Sequence, residues 1–249
     1  MSDGTLADDD RGFLYGDGLF ETVRIEDGTP WFVDRHRHRF RRSADALDFP
    51  STTVEEVMAV FDDLEGREDG LWRVTATRPG DGVFGGGSGT VALRRRPLPT
   101  TDDELAVTIL EGTYFPADRR AEHKTTSWMR YADAMRRARG RGYAEGLLVS
   151  PDGRVGEAAA ANLFARIGGG WVTPPVEGIL PGVVREHILA EAQKNGPAVE
   201  ERPLFVGDLQ TCESIALTSS GRLVSAVTAL DNQPLETSPV EELEELVKP

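Results

Sequence analysis

A seven-residue segment, Pro97-Leu-Pro-Thr-Thr-Asp-Asp103, interrupts every apolar periodicity in this 249-residue chain and divides it in two. Prolines and short polar residues in that order stop a helix or a strand. The division predicts a smaller domain over 1–97, a linker over 98–103 and a larger domain over 104–249, each long enough to bury a core.

In the first part, residues 19–25 and 31–33 read as a hairpin turning at Asp27-Gly28, with Asp34 capping a helix that carries Phe40, Ala44 and Leu47 on one face. A second helix is expected over 53–64, opened by a capping box at Thr53 and Glu56, followed by strands at 71–78 and 90–95 around the glycine cluster 85–89. The second part predicts strands at 105–110, 146–149, 154–157, 161–167, 171–173, 198–204, 213–218 and 222–228. Helices fall over 126–139, 183–194 and 239–247. Hairpins outnumber any βαβ alternation, so the class is α+β.

Composition excludes several functions. With 42 acidic against 28 basic side chains the net charge is −14, which opposes a nucleic acid partner. The basic run Arg35 to Arg42 is the local exception. No apolar run approaches the roughly 18 residues of a membrane helix, the first residues lack the pattern of a secretory signal, and the single cysteine, Cys212, forms no internal disulfide. The expectation is a cytoplasmic protein. The four histidines lack metal-ligand spacing, so no metal is expected. Only Lys124, Lys194 and Lys248 are lysines, and an acidic, arginine-rich surface is what concentrated salt favours, pointing to a halophilic habit.

Lysine scarcity singles out Lys124. It reads either as a surface charge or as a nucleophile, since an ε-amino group can condense with a carbonyl and a guanidinium cannot. Glu157, ahead of the small run Ala158 to Ala161, is an exposed glutamate or a carboxylate facing a ring nitrogen. Pro181-Gly182-Val183-Val184 at a helix start and Thr218-Ser219-Ser220-Gly221 after a strand are plain caps and turns or, with Arg39, a phosphate cradle. Together they describe a pyridoxal phosphate (PLP) site.

The same residues carry a family resemblance. The segment Arg11 to Arg24, the pattern His36-x-x-Arg39 with Ser43-Ala44, and Lys124 resemble successive motifs of the class IV, fold type IV aminotransferases. Gly146-Leu-Leu, Asp152-Gly-x-Val155-x-Glu157 to Asn162-Leu-Phe164, Thr173-Pro-Pro and Ile179-Leu-Pro-Gly-x-x-Arg185 continue that order. The resemblance implies a homodimer of two-domain subunits, with a small α/β sandwich and a larger pseudo-barrel of mostly antiparallel strands, and PLP between the domains. It implies that Lys124 forms the Schiff base from the larger domain, Glu157 meets the pyridine nitrogen, and Arg39, Gly182, Val183, Val184, Ser219 and Ser220 hold phosphate. Tyr15, Phe20, Arg24 and Arg73 would line the substrate side.

Within the family, branched-chain enzymes usually carry a tyrosine five residues after the lysine, where this chain has Met129. The stretch Thr218 to Val227 looks more like that of the aminodeoxychorismate lyases. The D-amino acid enzymes' carboxylate-trapping arginine and histidine are replaced by Asp81-Gly-Val-Phe-Gly-Gly-Gly. The resemblance therefore favours 4-amino-4-deoxychorismate lyase, with an amino acid aminotransferase of branched-chain or D-amino acid type as the alternative.

Overall fold

The computed structural model describes residues 7–80, 87–100 and 105–248. Most of the segment Asp81 to Gly87, two glycines of the 85–89 cluster and part of the expected linker lie outside them. The chain forms two compact units, one of residues 1–99 with 123–128 and one of 100–122 with 129–249.

The first unit is one antiparallel sheet with two helices against one face. Its strands are β1 (Gly18–Glu26), β2 (Thr29–Pro30), β3 (Gly70–Thr77) and β4 (Val91–Arg96), in the order β2-β1-β3-β4, and its helices are α1 (Arg11–Tyr15), α2 (Val33–Ala46) and α3 (Ser51–Asp62). The hairpin turns at Asp27 and Gly28, both at positive φ (50° and 71°), the twist a two-residue connection needs. Alternation along β1 sends Leu19, Val23 and Ile25 inward against Phe40, Ala44, Val57 and Phe61 from the helices.

Helix starts differ from the sequence expectation. Residues 31–33 form no strand, because Phe32 turns left-handed (φ 55°) and Val33 already opens α2. Asp34 therefore lies inside the first turn, where its carboxylate meets the helix dipole and Arg37 at 3.2 Å rather than capping. The second helix begins at Ser51 after Pro50, so Thr53 and Glu56 fall within it and no capping box forms.

In the second unit, β5 (Ala106–Glu111), α4 (Met129–Gly140), β6 (Glu145–Val149), β7 (Arg154–Ala158), β8 (Asn162–Ile167) and β9 (Gly170–Thr173) are followed by α5 (Val183–Asn195), β10 (Val199–Glu201), β11 (Leu204–Phe205) and α6 (Val206–Gln210). The chain ends through β12 (Ser214–Ser219), β13 (Leu223–Ala226), β14 (Ala229–Leu230), β15 (Gln233–Pro234) and α7 (Glu241–Glu244). Two sheets result, ordered β10-β9-β8-β12-β13 and β11-β7-β6-β5-β14-β15, with antiparallel pairs predominating. Val107, Leu147, Val149, Leu163, Ala165, Ile215 and Leu217 join them in one core. The expected strand 198–204 divides into β10 and β11, and the expected terminal helix reduces to α7 between two 3-10 turns.

The segment His123–Trp128 departs most from expectation. The sequence places it in the larger domain, entering the helix at 126. Instead Thr126 N–H donates to the Gly18 carbonyl (2.8 Å) and Phe20 N–H to the Lys124 carbonyl (2.9 Å), so the segment lies along β1 and clusters with the first unit. Beside its short pairing with β2, β1 has an open edge at Gly18–Phe20, and this strap satisfies its backbone groups.

Candidate active site

The strap fixes Lys124 from the backbone. Its side chain is half-buried and its Nζ lies 4.6 Å from the centroid of the Phe20 ring. The Arg73 guanidinium covers the same ring at 3.5 Å. Register explains the meeting: Phe20 and Thr22 on β1 lie opposite Thr75 and Arg73 on β3, so all four share the face turned away from α2 and α3. Arg24, two residues on, shares it and is paired with Glu26 at 3.0 Å. Tyr15 lies apart on α1, 49% exposed under the Arg11 guanidinium.

On the opposite face Glu21 points into the core, an inward position where alternation demands an apolar residue. It is answered by α2, whose i, i+3 pair His36 and Arg39 reaches it together. Arg39 donates Nε to Glu21 Oε1 (2.8 Å) and Nη2 to Oε2 (2.6 Å), and His36 Nδ1 lies 2.7 Å from Oε2. All three are buried. Burial pushes the Glu21 carboxyl up, but Arg39 and then His36 outweigh it and hold it well below the usual carboxylate range. Burial lowers the affinity of His36 for a proton more than Glu21 raises it, and, facing a carboxylate oxygen, Nδ1 carries the hydrogen and donates. Arg39, expected to hold phosphate, thus has two guanidinium nitrogens committed to Glu21. Glu21 and His36 were not singled out from the sequence as site residues, although a charged residue at an inward strand position was the signal.

In the second unit Glu157 is the penultimate residue of β7 and is 4% exposed, against the reading of an exposed glutamate. Its Oε1 accepts from the Tyr131 hydroxyl (3.0 Å), and its Oε2 from Leu180 N–H (3.2 Å) and Asn162 Nδ2 (3.4 Å). Tyr131 in turn accepts from Arg130 (2.8 Å), and burial, with the charge of Glu157, raises its hydroxyl pKa. Tyr131 carried no sequence signal, because its role depends on a facing strand 26 residues on.

Asn162 ties this carboxylate to the start of α5. Its Nδ2 donates to the Leu180 carbonyl (2.8 Å), and its Oδ1 would sit 1.8 Å from a Cβ on residue 182, so only glycine fits there. Gly182 is the N-cap of α5 without a side-chain cap, leaving the Val183 and Val184 amides without intrahelical acceptors. Asn162 also pairs across the sheet with Thr218, whose buried Oγ1 has no partner among the described residues. Ser219 follows at the end of β12, its Oγ accepting from Arg222 N–H (3.3 Å). Uncapped amides, an orphaned buried hydroxyl and glycine-only clearance in one unit fit a bound phosphate ester. The structure thus joins Gly182–Val184 and Thr218–Ser219 through Asn162, while Lys124, Phe20, Arg24, Arg73 and Arg39 belong to the first unit. Among the described residues no cluster of three potential metal ligands occurs, and no helix is long and apolar enough to cross a membrane.

Comparison with known proteins identifies the family and the fold. The family model for amino-transferase class IV matches residues 18–230, and the chain belongs to that family. A Methanocaldococcus jannaschii protein, whose name assigns it provisionally to the branched-chain-amino-acid aminotransferases, is 29% identical over 96% of this chain and 87% of its own length. The bifunctional aminodeoxychorismate lyase / D-amino acid transaminase of Mycobacterium tuberculosis is 28% identical over 94% of this chain and 89% of its own. A hypothetical aminotransferase from M. tuberculosis, solved in a PLP-bound form, superposes with a TM-score of 0.81 at 26% identity, covering 99% of this chain and 95% of that one. The fold is that of the type IV enzymes, and the chain is an enzyme of the aminotransferase and lyase group.

Proposed function

We propose that this chain is a PLP-dependent 4-amino-4-deoxychorismate lyase, releasing pyruvate and 4-aminobenzoate. The observation that carries the reading is the Phe20 ring with Lys124 Nζ at 4.6 Å and Arg73 at 3.5 Å: a flat apolar surface bearing an amine and a guanidinium suits an unsaturated ring acid. When bound, PLP supplies an aldehyde for amines and a protonated ring that accepts electrons. Lys124 would hold the aldehyde, Glu157 the ring nitrogen, and the amides of Gly182, Val183 and Val184 with Ser219, Ser220 and Arg39 the phosphate. Once the substrate amine has displaced Lys124 from the aldehyde, the freed Lys124 amine would take the proton from the substrate carbon that bears nitrogen. The electron pair left behind would expel the enolpyruvyl oxygen from the neighbouring ring carbon, the departing enolate would take up a proton to become pyruvate, and Arg73 would hold the ring carboxylate while the ring becomes aromatic. Glu157, oriented by Tyr131, Leu180 N–H and Asn162, would face the ring nitrogen and favour its protonated form.

Met129 at the start of α4, 72% exposed where branched-chain enzymes place a tyrosine, supports the lyase over its alternative. In that alternative, an amino acid aminotransferase, Lys124 returns the proton to the cofactor side. The working unit is proposed to be a cytoplasmic homodimer serving 4-aminobenzoate supply, checked by its size in molar salt.

The deciding experiment supplies aminodeoxychorismate, made in situ, to purified protein with PLP. Release of 4-aminobenzoate and pyruvate that falls at least about 10³-fold in Lys124→Ala supports the lyase. No release, with the PLP absorption instead bleaching on addition of L-leucine, L-glutamate or D-alanine, makes it an aminotransferase and identifies its donor.

A further inference from the structure

The face of the first sheet turned away from the helices is a cationic surface on an acidic protein. Register aligns Thr22, Arg73 and Arg94 in one row across β1, β3 and β4, and Arg24, Leu71 and Arg96 in the next. Four arginines thus share one face. Like charges directly opposite on paired strands repel, and Arg73 and Arg94 are such a pair. Glu26 neutralises Arg24. Among the described residues no carboxylate lies within ion-pair distance of Arg73, Arg94 or Arg96.

Elsewhere the chain pairs its arginines closely: Arg11 and Arg78 share Asp17, Arg166 bridges Glu213 and Glu242, and Arg185 meets Glu201. Arg73 is half-buried, and its contacts are the Phe20 ring and the Thr75 hydroxyl at 3.1 Å from Nε. Burial, and then the charge of Arg96, lower its proton affinity. A guanidinium kept partly desolvated beside two of its kind costs folding energy that an anion would offset.

We propose that Arg73, Arg94 and Arg96 form a carboxylate subsite for a substrate that carries two carboxylates. The inference rests on the proposed function, because Lys124 reaches the same Phe20 ring that Arg73 covers. Neighbouring strands stand about 5 Å apart, so adjacent guanidinium groups match two carboxylates separated by a few carbons. The substrate class is therefore a dicarboxylic amine, cyclic or acyclic, rather than an aliphatic amino acid with one carboxylate.

The test titrates PLP-loaded protein at low salt with succinate and with butyrate, following tryptophan fluorescence, while the PLP absorption band is recorded separately. Succinate is expected to bind at least about 10-fold tighter than butyrate. The preference should fall toward unity in Arg73→Met and in the double variant R94Q/R96Q, and persist in R37Q/R41Q, which alters arginines of α2. Should Arg73→Met fail to fold, the double variant at two exposed positions decides alone. Equal binding of the two acids, or a preference unchanged in R94Q/R96Q, overturns the subsite. A normal PLP band, lost in Lys124→Ala, beside absent succinate preference means that the subsite alone is wrong. Absence of the band in the parent protein overturns the proposed function, and the succinate preference is then read on cofactor-free protein.

Discussion

Glu21 and Glu157 are both buried carboxylates with three described donors each, yet their surroundings differ in kind. Glu21 is clasped by a guanidinium at 2.6 and 2.8 Å and an imidazole at 2.7 Å, all from one helix. The donors at Glu157 are a phenol, a backbone amide and a carboxamide at 3.0 to 3.4 Å, drawn from three segments. A short cationic clasp makes a carboxylate part of the framework. Longer neutral bonds orient it at less cost, so the role of Glu157 is to be read in chemistry and that of Glu21 in stability.

The largest effect expected from this contrast is at Glu21. Glu21→Gln leaves Arg39 buried without its counter-charge and is expected to cost about 3–5 kcal/mol in denaturant unfolding. A loss below 1 kcal/mol would erase the distinction. Because the folded pKa of Glu21 lies below its unfolded value of 4.5, its contribution is complete above that pH and is lost as pH falls further.

Glu157→Gln should do the reverse, lowering turnover about 10²-fold while the unfolding midpoint moves by less than the equivalent of about 1 kcal/mol. Equal turnover in the variant and the parent would deprive Glu157 of its role.

A third carboxylate sharpens the comparison by having a backbone donor and, among the described residues, no side-chain clasp. Glu145 on β6 accepts from Gly146 N–H at 3.2 Å, and burial raises its pKa to about 7, partly countered by the Gly146 and Ala159 amides, Arg222 and Arg139. With a raised folded pKa its contribution is complete below pH 4.5 and is lost as pH rises through about 7. Glu145→Gln should therefore gain about 3 kcal/mol over the parent at pH 8 and nothing at pH 4, as thermal unfolding at the two pH values will show.

The smallest effect is at the orphaned hydroxyl. Thr218→Val is expected to leave the cofactor-free protein unchanged or more stable by up to about 1 kcal/mol, and to weaken PLP binding several-fold. Unfolding measured with and without PLP separates the two.

Strand positions were legible because side-chain alternation is local: β3, β4, β6, β8, β9 and β12 fall within a residue or two of expectation. Helix starts were legible at α5, which opens at Val183 as expected, but not at α2 and α4, since the Phe32 cap relies on backbone conformation and α4 is delayed by the strap's pairing with β1. Among site residues, Lys124 and Glu157 were marked by rarity and by a small-residue run. His36 and Thr218 were marked within motifs, whereas Glu21 and Tyr131 matter through partners on other elements, which spacing along the chain does not reveal.

The strap also provides a natural timer. The Phe20 amide proton is bonded to the carbonyl of Lys124 itself, so it exchanges with solvent deuterium only when that bond opens. Its exchange rate against that of Val23 within the β1–β3 ladder thus counts how often the residue carrying the amine lets go of its strand.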